Sequence, residues 1–165
     1  MNIIELLLTE LAREAQVTRK MLALIPVDSF DWAPHEKSMK MKPLGTHIAE
    51  LPSWITLALT TEELDFATAP YDPAPAENTA DILALFEKSY AEGRESLAQA
   101  KEEDLTGKWV LRNADQIYAT MTKYETIRVA FSQTIHHRAQ LGVYLRLLNI
   151  PIPGSYGPSA DDTSF

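Results

Sequence analysis

Residues 133–140 read Gln-Thr-Ile-His-His-Arg-Ala-Gln and lie inside a long run with an apolar stripe, from Thr122 to Asn149. Apolar residues in this run recur at intervals of three and four, as they do along one face of an α-helix. The stripe consists of Ile127, Ala130, Thr134, His137, Leu141, Tyr144 and Leu148. The spacing therefore predicts a helix whose inward face carries the imidazole of His137.

An inward-facing histidine needs a polar partner, because an unpaired polar group in a core costs about 1–3 kcal/mol. One interpretation is structural, with His137 hydrogen-bonded to a backbone carbonyl or to a hydroxyl such as that of Tyr144. The other is a metal ion shared with a histidine of a second helix. Gln133, one turn earlier and only about 40° away around the helix, could reach the same point.

A second histidine lies on an apolar stripe of its own. The segment after Pro43 carries Leu44, His47, Ile48, Leu51, Ile55 and Ala58 at helical spacing. Pro52 falls inside this segment, where it removes a backbone hydrogen bond and predicts a kink about one turn after His47. Two inward imidazoles on different helices, with Gln133 beside one of them, could bind a divalent metal such as zinc, nickel or iron. Glutamine is the weakest of these three ligands.

Two further amphipathic segments complete the helical pattern. One runs from Asn2 to Ile25 and ends before Pro26, and the other begins at Asn78 or Thr79 and runs to about Lys101. The connections at 60–78 and 102–119 are long, and residues 108–112 alternate well enough for a short strand. Four amphipathic helices predict an all-α, antiparallel four-helix bundle with long connections, built as a single domain over residues 1–165.

Composition narrows the functional classes. The chain has 165 residues and a formal net charge of −8, and its 15 basic residues are scattered, which disfavours a nucleic-acid partner. No uninterrupted apolar run is long enough to cross a membrane, and the N-terminus lacks the basic segment of a signal peptide. Zero cysteines exclude disulfides and thiolate ligands. We expect a cytoplasmic protein that binds neither nucleic acid nor membrane.

Several motifs together resemble one protein family. They are His136-His-Arg-Ala-Gln-Leu141, Tyr144-Leu-Arg-Leu-Leu148, the later Pro151-Ile-Pro153 and Tyr156-Gly-Pro-Ser-Ala-Asp161, and in the first half Lys37-Ser-Met39 and His47-Ile-Ala-Glu-Leu-Pro-Ser-Trp54. In this order they resemble the DinB/YfiT-like family over nearly the whole chain. The resemblance implies a four-helix bundle that is often a homodimer.

The resemblance also implies a metal site. The family's usual ligands are one histidine from the second helix and two, spaced His-x-x-x-His, from the fourth. By residue, these positions correspond to His47, to position 133 and to His137. Position 133 is glutamine in this chain, which departs from the family pattern. His136 is the neighbouring histidine of the motif and is not the usual ligand.

Two functional hypotheses follow from the resemblance. The first is a metal-dependent enzyme acting on a small molecule, either a transferase of a low-molecular-weight thiol or a hydrolase. The second is a degenerate, non-catalytic bundle that binds a small molecule or a partner, because Gln133 replaces a histidine. A DNA-binding role, which the family name could suggest, conflicts with the net charge of −8.

Overall fold

The structure, a computed structural model, describes residues 2–163. Its helices are α1 (Ile3–Leu22), α2 (Met41–Glu50), α3 (Ser53–Thr60), α4 (Thr79–Gln99) and α5 (Lys123–Leu147). Its strands are β1 (Glu63–Asp65), β2 (Lys108–Asn113) and β3 (Gln116–Thr122). The single domain predicted over residues 1–165 includes Met1, Ser164 and Phe165, which lie outside the described residues.

The helix ends follow local sequence signals. The Asn2 side chain caps α1 by accepting a hydrogen bond from the amide of Ile4 at 2.8 Å. Capping boxes begin α4, where Asn78 pairs with Asp81, and α5, where Thr122 pairs with Glu125. These contacts join residues two or three positions apart, which is why the sequence predicted these helix starts.

Pro52 divides the predicted second helix into two. The α-helix ends at Glu50, Leu51 and Pro52 form a turn, and α3 begins at Ser53. Proline has no amide hydrogen to donate and its ring crowds the preceding turn, so the helix changes direction here. The structure has a turn where the kink was predicted, and here the amides of Trp54 and Ile55 donate to carbonyls only three positions earlier, those of Leu51 and Pro52.

The helices form a four-helix bundle in which α2 and α3 together act as one kinked member. Helix α1 packs against α4 and α5, and the α2/α3 pair packs against the same two helices. Helix α1 and the α2/α3 pair therefore lie at opposite corners of the bundle. The core between them consists of fully buried aliphatic and aromatic residues, among them Leu22, Ile48, Ile55, Phe86 and Leu141.

A three-stranded sheet corrects the all-α prediction. Strand β1 pairs parallel with β2, which pairs antiparallel with β3. Asp65 at the end of β1 accepts hydrogen bonds from the Ala114 amide and from Arg112 Nε. Periodicity indicated the short strand at 108–112, but β1 is only three residues long and becomes a strand by pairing with a distant segment. The protein is therefore mostly helical, and the sheet is a small addition to the bundle.

The non-helical segments are also anchored to the bundle. In the loop after α1, Trp32 lies edge-on to Tyr144, with ring centroids 5.6 Å apart. Phe30 and Trp32 both pack against the core. None of the helices in the described part of the chain is long and apolar enough to cross a membrane.

Candidate metal centre

The imidazoles of His47 and His137 meet between α2 and α5. Their ring centroids are 4.7 Å apart and the rings are nearly perpendicular, at 80°. Both side chains are half-buried. The two histidines that lie 90 positions apart in the numbering are thus within reach of one ion, since imidazole nitrogens bind metals such as zinc at about 2.0–2.1 Å.

His137 lies at the edge of the core, which corrects the prediction that it points into the protein. Thr134, Leu141 and Tyr144 of the predicted stripe are buried, but Arg138 is buried as well, at 3% exposed. The buried face of α5 is therefore turned toward Arg138, which leaves His137 half-exposed. A half-exposed imidazole suits a metal ligand, because the metal and any substrate must reach it from solvent.

The electrostatic surroundings favour neutral imidazoles. Burial lowers the pKa of His47, and the nearby His137 lowers it further, while Glu50 opposes the shift. Burial also lowers the pKa of His137, against the hydrogen bond with Gln140. Metals bind the neutral form of histidine, so both shifts favour binding at neutral pH.

Gln140 determines which nitrogen of His137 is available. Its Oε1 lies 2.8 Å from His137 Nδ1. An amide oxygen only accepts hydrogen bonds, so Nδ1 carries the proton and Nε2 has a free lone pair. The partner of His137 is therefore a glutamine side chain, and not a backbone carbonyl or the Tyr144 hydroxyl. The Tyr144 hydroxyl donates to the Met39 carbonyl instead.

The other predicted residues lie outside this pair. Gln133 is exposed, and within residues 2–163 it makes no hydrogen bond to either imidazole. His136 is exposed, with its ring centroid 4.9 Å from that of His137. In the described part of the chain, no group of three or more histidine, aspartate or glutamate side chains could hold a metal.

The donor set fits a metal held by two imidazoles with open coordination positions. Such positions are what a catalytic centre keeps for water or substrate. With only two protein ligands brought together, binding should be weaker than at a three-histidine site. The role assigned to Gln133 as a third ligand stays a prediction.

A cavity of about 690 Å³ lies beside His47. One side consists of residues from α2 and α3, including Thr46 and Trp54, and the other of residues 66–75. We call residues 66–75 the strap. Glu50 holds the strap in place, since its carboxylate accepts hydrogen bonds from the Tyr71 hydroxyl at 2.9 Å and from the Ala74 amide at 3.0 Å.

The family is established by comparison of the whole sequence. The sequence model of the DinB family matches residues 1–163. The chain belongs to the DinB family. The resemblance described from its motifs is therefore confirmed.

Solved DinB-like structures share this fold. A DinB-like protein from Bacillus subtilis is 19% identical with a TM-score of 0.71, and the match covers 90% of this chain and 96% of that one. YfiT from Bacillus subtilis, reported as a probable metal-dependent hydrolase with an unusual four-helix bundle topology, is 13% identical with a TM-score of 0.67, over 90% and 89% of the two chains.

A more distant match is a variant of the mycothiol-dependent maleylpyruvate isomerase, 16% identical with a TM-score of 0.61. The match covers 84% of this DinB-family chain and 60% of the isomerase. At these identities the likeness concerns the fold. No curated protein sequence matches the chain.

Sequence reasoning missed part of this DinB site. The contact between Glu50 and Tyr71 was not predicted. Two features of the sequence mark its surroundings, the position of Glu50 one turn from His47 and the three prolines of the strap, but neither pairs Glu50 with Tyr71. Arg138 contacts Glu14 and Thr18 of α1. Gln140 contacts His137 of its own helix.

Proposed function

We propose that this DinB-family protein is a metal-dependent enzyme that acts on a small molecule, as a transferase of a low-molecular-weight thiol or as a hydrolase. The observation that carries the proposal is the pair His47 and His137, with ring centroids 4.7 Å apart, beside a cavity of about 690 Å³. The description of YfiT as a probable metal-dependent hydrolase supports it, as does the thiol dependence named for the isomerase.

The roles of the residues follow from their positions. His47 and His137 would hold zinc, nickel or iron, and Gln140 orients the His137 ring so that Nε2 is free. The bound metal would lower the pKa of a thiol or water and so supply a nucleophile at neutral pH. The apolar walls of the cavity hold the substrate next to His47 and exclude water from it.

Metal analysis tests the proposal. The protein is purified without a nickel column, and its metal content is measured as isolated and after soaking in zinc, nickel or iron. We expect a substantial fraction of one equivalent after soaking. Less than about a tenth of an equivalent of any of these metals would refute the proposal, because a metal-dependent enzyme must hold its ion when that ion is supplied in excess.

A non-catalytic DinB bundle is the second candidate. The observation that favours it is Gln133, which is exposed where the family pattern has a histidine ligand. The variant Gln133→His separates the two functions. A steep rise in metal affinity together with the appearance of activity would mean that the natural chain has lost its site. Stoichiometric metal in the natural protein would refute the non-catalytic alternative.

We also propose that the protein is a homodimer. Val143 and Leu147 lie one turn apart on α5 and are 58% and 57% exposed, which is unusual for neighbouring aliphatic side chains on a helix. Burial against a second copy would remove this apolar surface from water.

A further inference from the structure

The cavity beside His47 has a mostly apolar lining. Trp54 and Leu64 contribute from the bundle and sheet side, and Phe66, Pro70 and Pro73 from the strap. Its volume of about 690 Å³ lies within the range of about 300–1,000 Å³ that is typical of small-molecule sites. The main body of an occupant must therefore be apolar, and large enough to contact both the strap and Trp54.

Lys42 is the single cationic residue of the cavity lining in the described part of the chain. It is half-buried on α2, one turn before Thr46. A lysine that lines an apolar cavity can offer its ammonium to an anionic group bound there.

Within residues 2–163, no carboxylate forms an ion pair with Lys42. Asp31, the acidic residue whose pKa Lys42 influences, is paired with Lys40 at 2.9 Å. Glu50 is engaged by Tyr71 and Ala74 of the strap. Asp72 also lines the cavity, but it is exposed and does not lie within ion-pair distance of Lys42 among the described residues. The Lys42 ammonium lies 6.0 Å from the centroid of the Phe30 ring.

We propose that the cavity binds an amphipathic carboxylate, with its apolar body between Trp54 and the strap and its carboxylate paired with Lys42. This inference rests on the proposed function, since it names the substrate class of the same site. It also assigns Lys42 as the specificity-determining residue, because a neutral analogue would leave the ammonium without a partner.

A pair of matched probes tests the charge requirement. Naphthalene-2-acetate and its neutral amide have the same apolar body and differ in the group offered to Lys42. Binding is measured by calorimetry on the full-length chain in the presence of a chelator, so that no metal contributes. We expect the acid to bind roughly ten-fold more tightly than the amide, as hydrogen bonds to charged groups typically discriminate.

Two lysine variants locate the effect. Lys42→Met keeps the length of the side chain and removes the charge, and it should abolish the preference for the acid while leaving amide binding unchanged. Lys40→Met is the matched control, because Lys40 is exposed, paired with Asp31 and absent from the cavity lining. It should retain the full preference. Thermal melts of both variants establish that each is folded.

Three results would overturn the inference: equal binding of acid and amide by the natural protein, an unchanged acid preference in Lys42→Met, or no binding of either probe. The metal analysis is independent of this test. Metal binding without an acid preference would leave the proposed enzyme in place and remove the substrate class. An acid preference without metal binding would remove the proposed enzyme and leave the cavity as a binding site for amphipathic carboxylates.

Discussion

Gln140 and His137 illustrate how one hydrogen bond prepares a side chain for metal binding. The 2.8 Å contact joins two residues three positions apart on α5, so helix geometry alone brings them together. The bond selects the tautomer with a proton on Nδ1 and restricts rotation of the ring. Gln140 is thus a positioning residue that acts through His137.

Replacing Gln140 tests this role. We expect Gln140→Leu to weaken zinc binding by roughly 10–100-fold, because the ring loses its orientation. Calorimetry measures the affinity, and nitrogen NMR of the imidazole reports the tautomer of the metal-free protein, which should become mixed. Gln140→Glu keeps an acceptor oxygen and should retain the affinity.

The exposed variant Ser132→Ala serves as the control on the same helix. Unchanged affinity and an unchanged tautomer in Gln140→Leu would show that the hydrogen bond has no positioning role.

A buried ion pair joins α5 to α1. Arg138 Nη1 lies 2.6 Å from Glu14 Oε2, an ion-pair contact outside hydrogen-bond geometry, and it also donates to Thr18 Oγ1 at 3.0 Å. The other Glu14 oxygen accepts from the Tyr156 hydroxyl at 2.5 Å. Glu14 therefore connects two helices and the C-terminal tail.

Removing one partner of this pair should be more harmful than removing both charges. Arg138→Met leaves the Glu14 carboxylate buried without its cation, and we expect a loss of about 3–5 kcal/mol in the free energy of unfolding. Adding Glu14→Gln should recover part of that loss, since the uncompensated charge disappears. Urea unfolding measures both. A double variant that is no more stable than Arg138→Met would contradict this account.

At the scale of helices, α3 and α4 approach each other closely at Gly93. A Cβ atom built on Gly93 would lie 2.4 Å from the carbonyl oxygen of Pro52, which is backbone and cannot rotate away. The proline break and the glycine thus complement each other across the interface. Sequence analysis alone does not distinguish such a glycine from a weak point in the helix.

Gly93→Ala should therefore destabilise the protein although alanine is the better helix former. Overpacking costs about 1–3 kcal/mol and the propensity gain returns about 1 kcal/mol, so we expect a net loss of up to about 2 kcal/mol. Thermal unfolding should show a melting temperature lower by several degrees. Glu92→Ala, at the exposed neighbouring position, is the control and should change stability by less than about 0.5 kcal/mol. An increase in stability for Gly93→Ala would contradict the close packing.

The two extended segments are both held on the bundle by a tyrosine that donates to a glutamate. Tyr71 of the strap donates to Glu50, and Tyr156 of the tail donates to Glu14. Burial, followed by the hydrogen bond to the glutamate, raises the pKa of each tyrosine to about 12. Since the neutral phenol is the form that donates, these contacts are complete below the ordinary tyrosine pKa of about 10 and weaken as the pH rises toward 12.

Tyr71→Phe should remove about half of the phenolate absorbance that develops near pH 12, because Tyr156 remains. The measurement is an alkaline spectrophotometric titration of the folded protein. Tyr118→Phe is the control, since Tyr118 is exposed on β3 and has no hydrogen bond to Glu50. A full-sized step near pH 12 in Tyr71→Phe would show that the strap is not held by this bond.

For the whole molecule, the proposed dimer predicts a definite mass. Light scattering after size exclusion should give twice the chain mass of 18.5 kDa. Val143→Glu should shift the protein toward the monomer, because it places a charge in the apolar contact. Ile117→Glu, a control at another exposed aliphatic residue on β3, should stay dimeric. A monomeric natural protein at all concentrations would contradict the proposal.

The parts of the fold that could be predicted from the sequence depend on neighbours in the chain. Asn78 and Asp81, Thr122 and Glu125, and Pro52 act within one helical turn. The stripes carrying His47 and His137 follow from helical periodicity in the same way. The motif resemblance then identified the family, and the family match confirms it.

Other parts could not be predicted, because they depend on contacts between distant segments. Strand β1 forms beside β2, where Asp65 meets Arg112 across 47 positions. Tyr71 and Glu50 are 21 positions apart, so no periodicity relates them. The rotation of α5 that buries Arg138 and exposes Gln133 is set by Glu14 on another helix.

The amino-acid sequence by itself determined the four-helix architecture, its helix ends and the two histidines, because caps, breaks and apolar periods are local properties of a chain. Tertiary structure alone decided the 4.7 Å approach of the two rings and the cavity under the strap, and it left Lys42 without an ion pair among residues 2–163. Those features depend on how helices rotate and pack, and packing is settled only when all the segments are buried against one another.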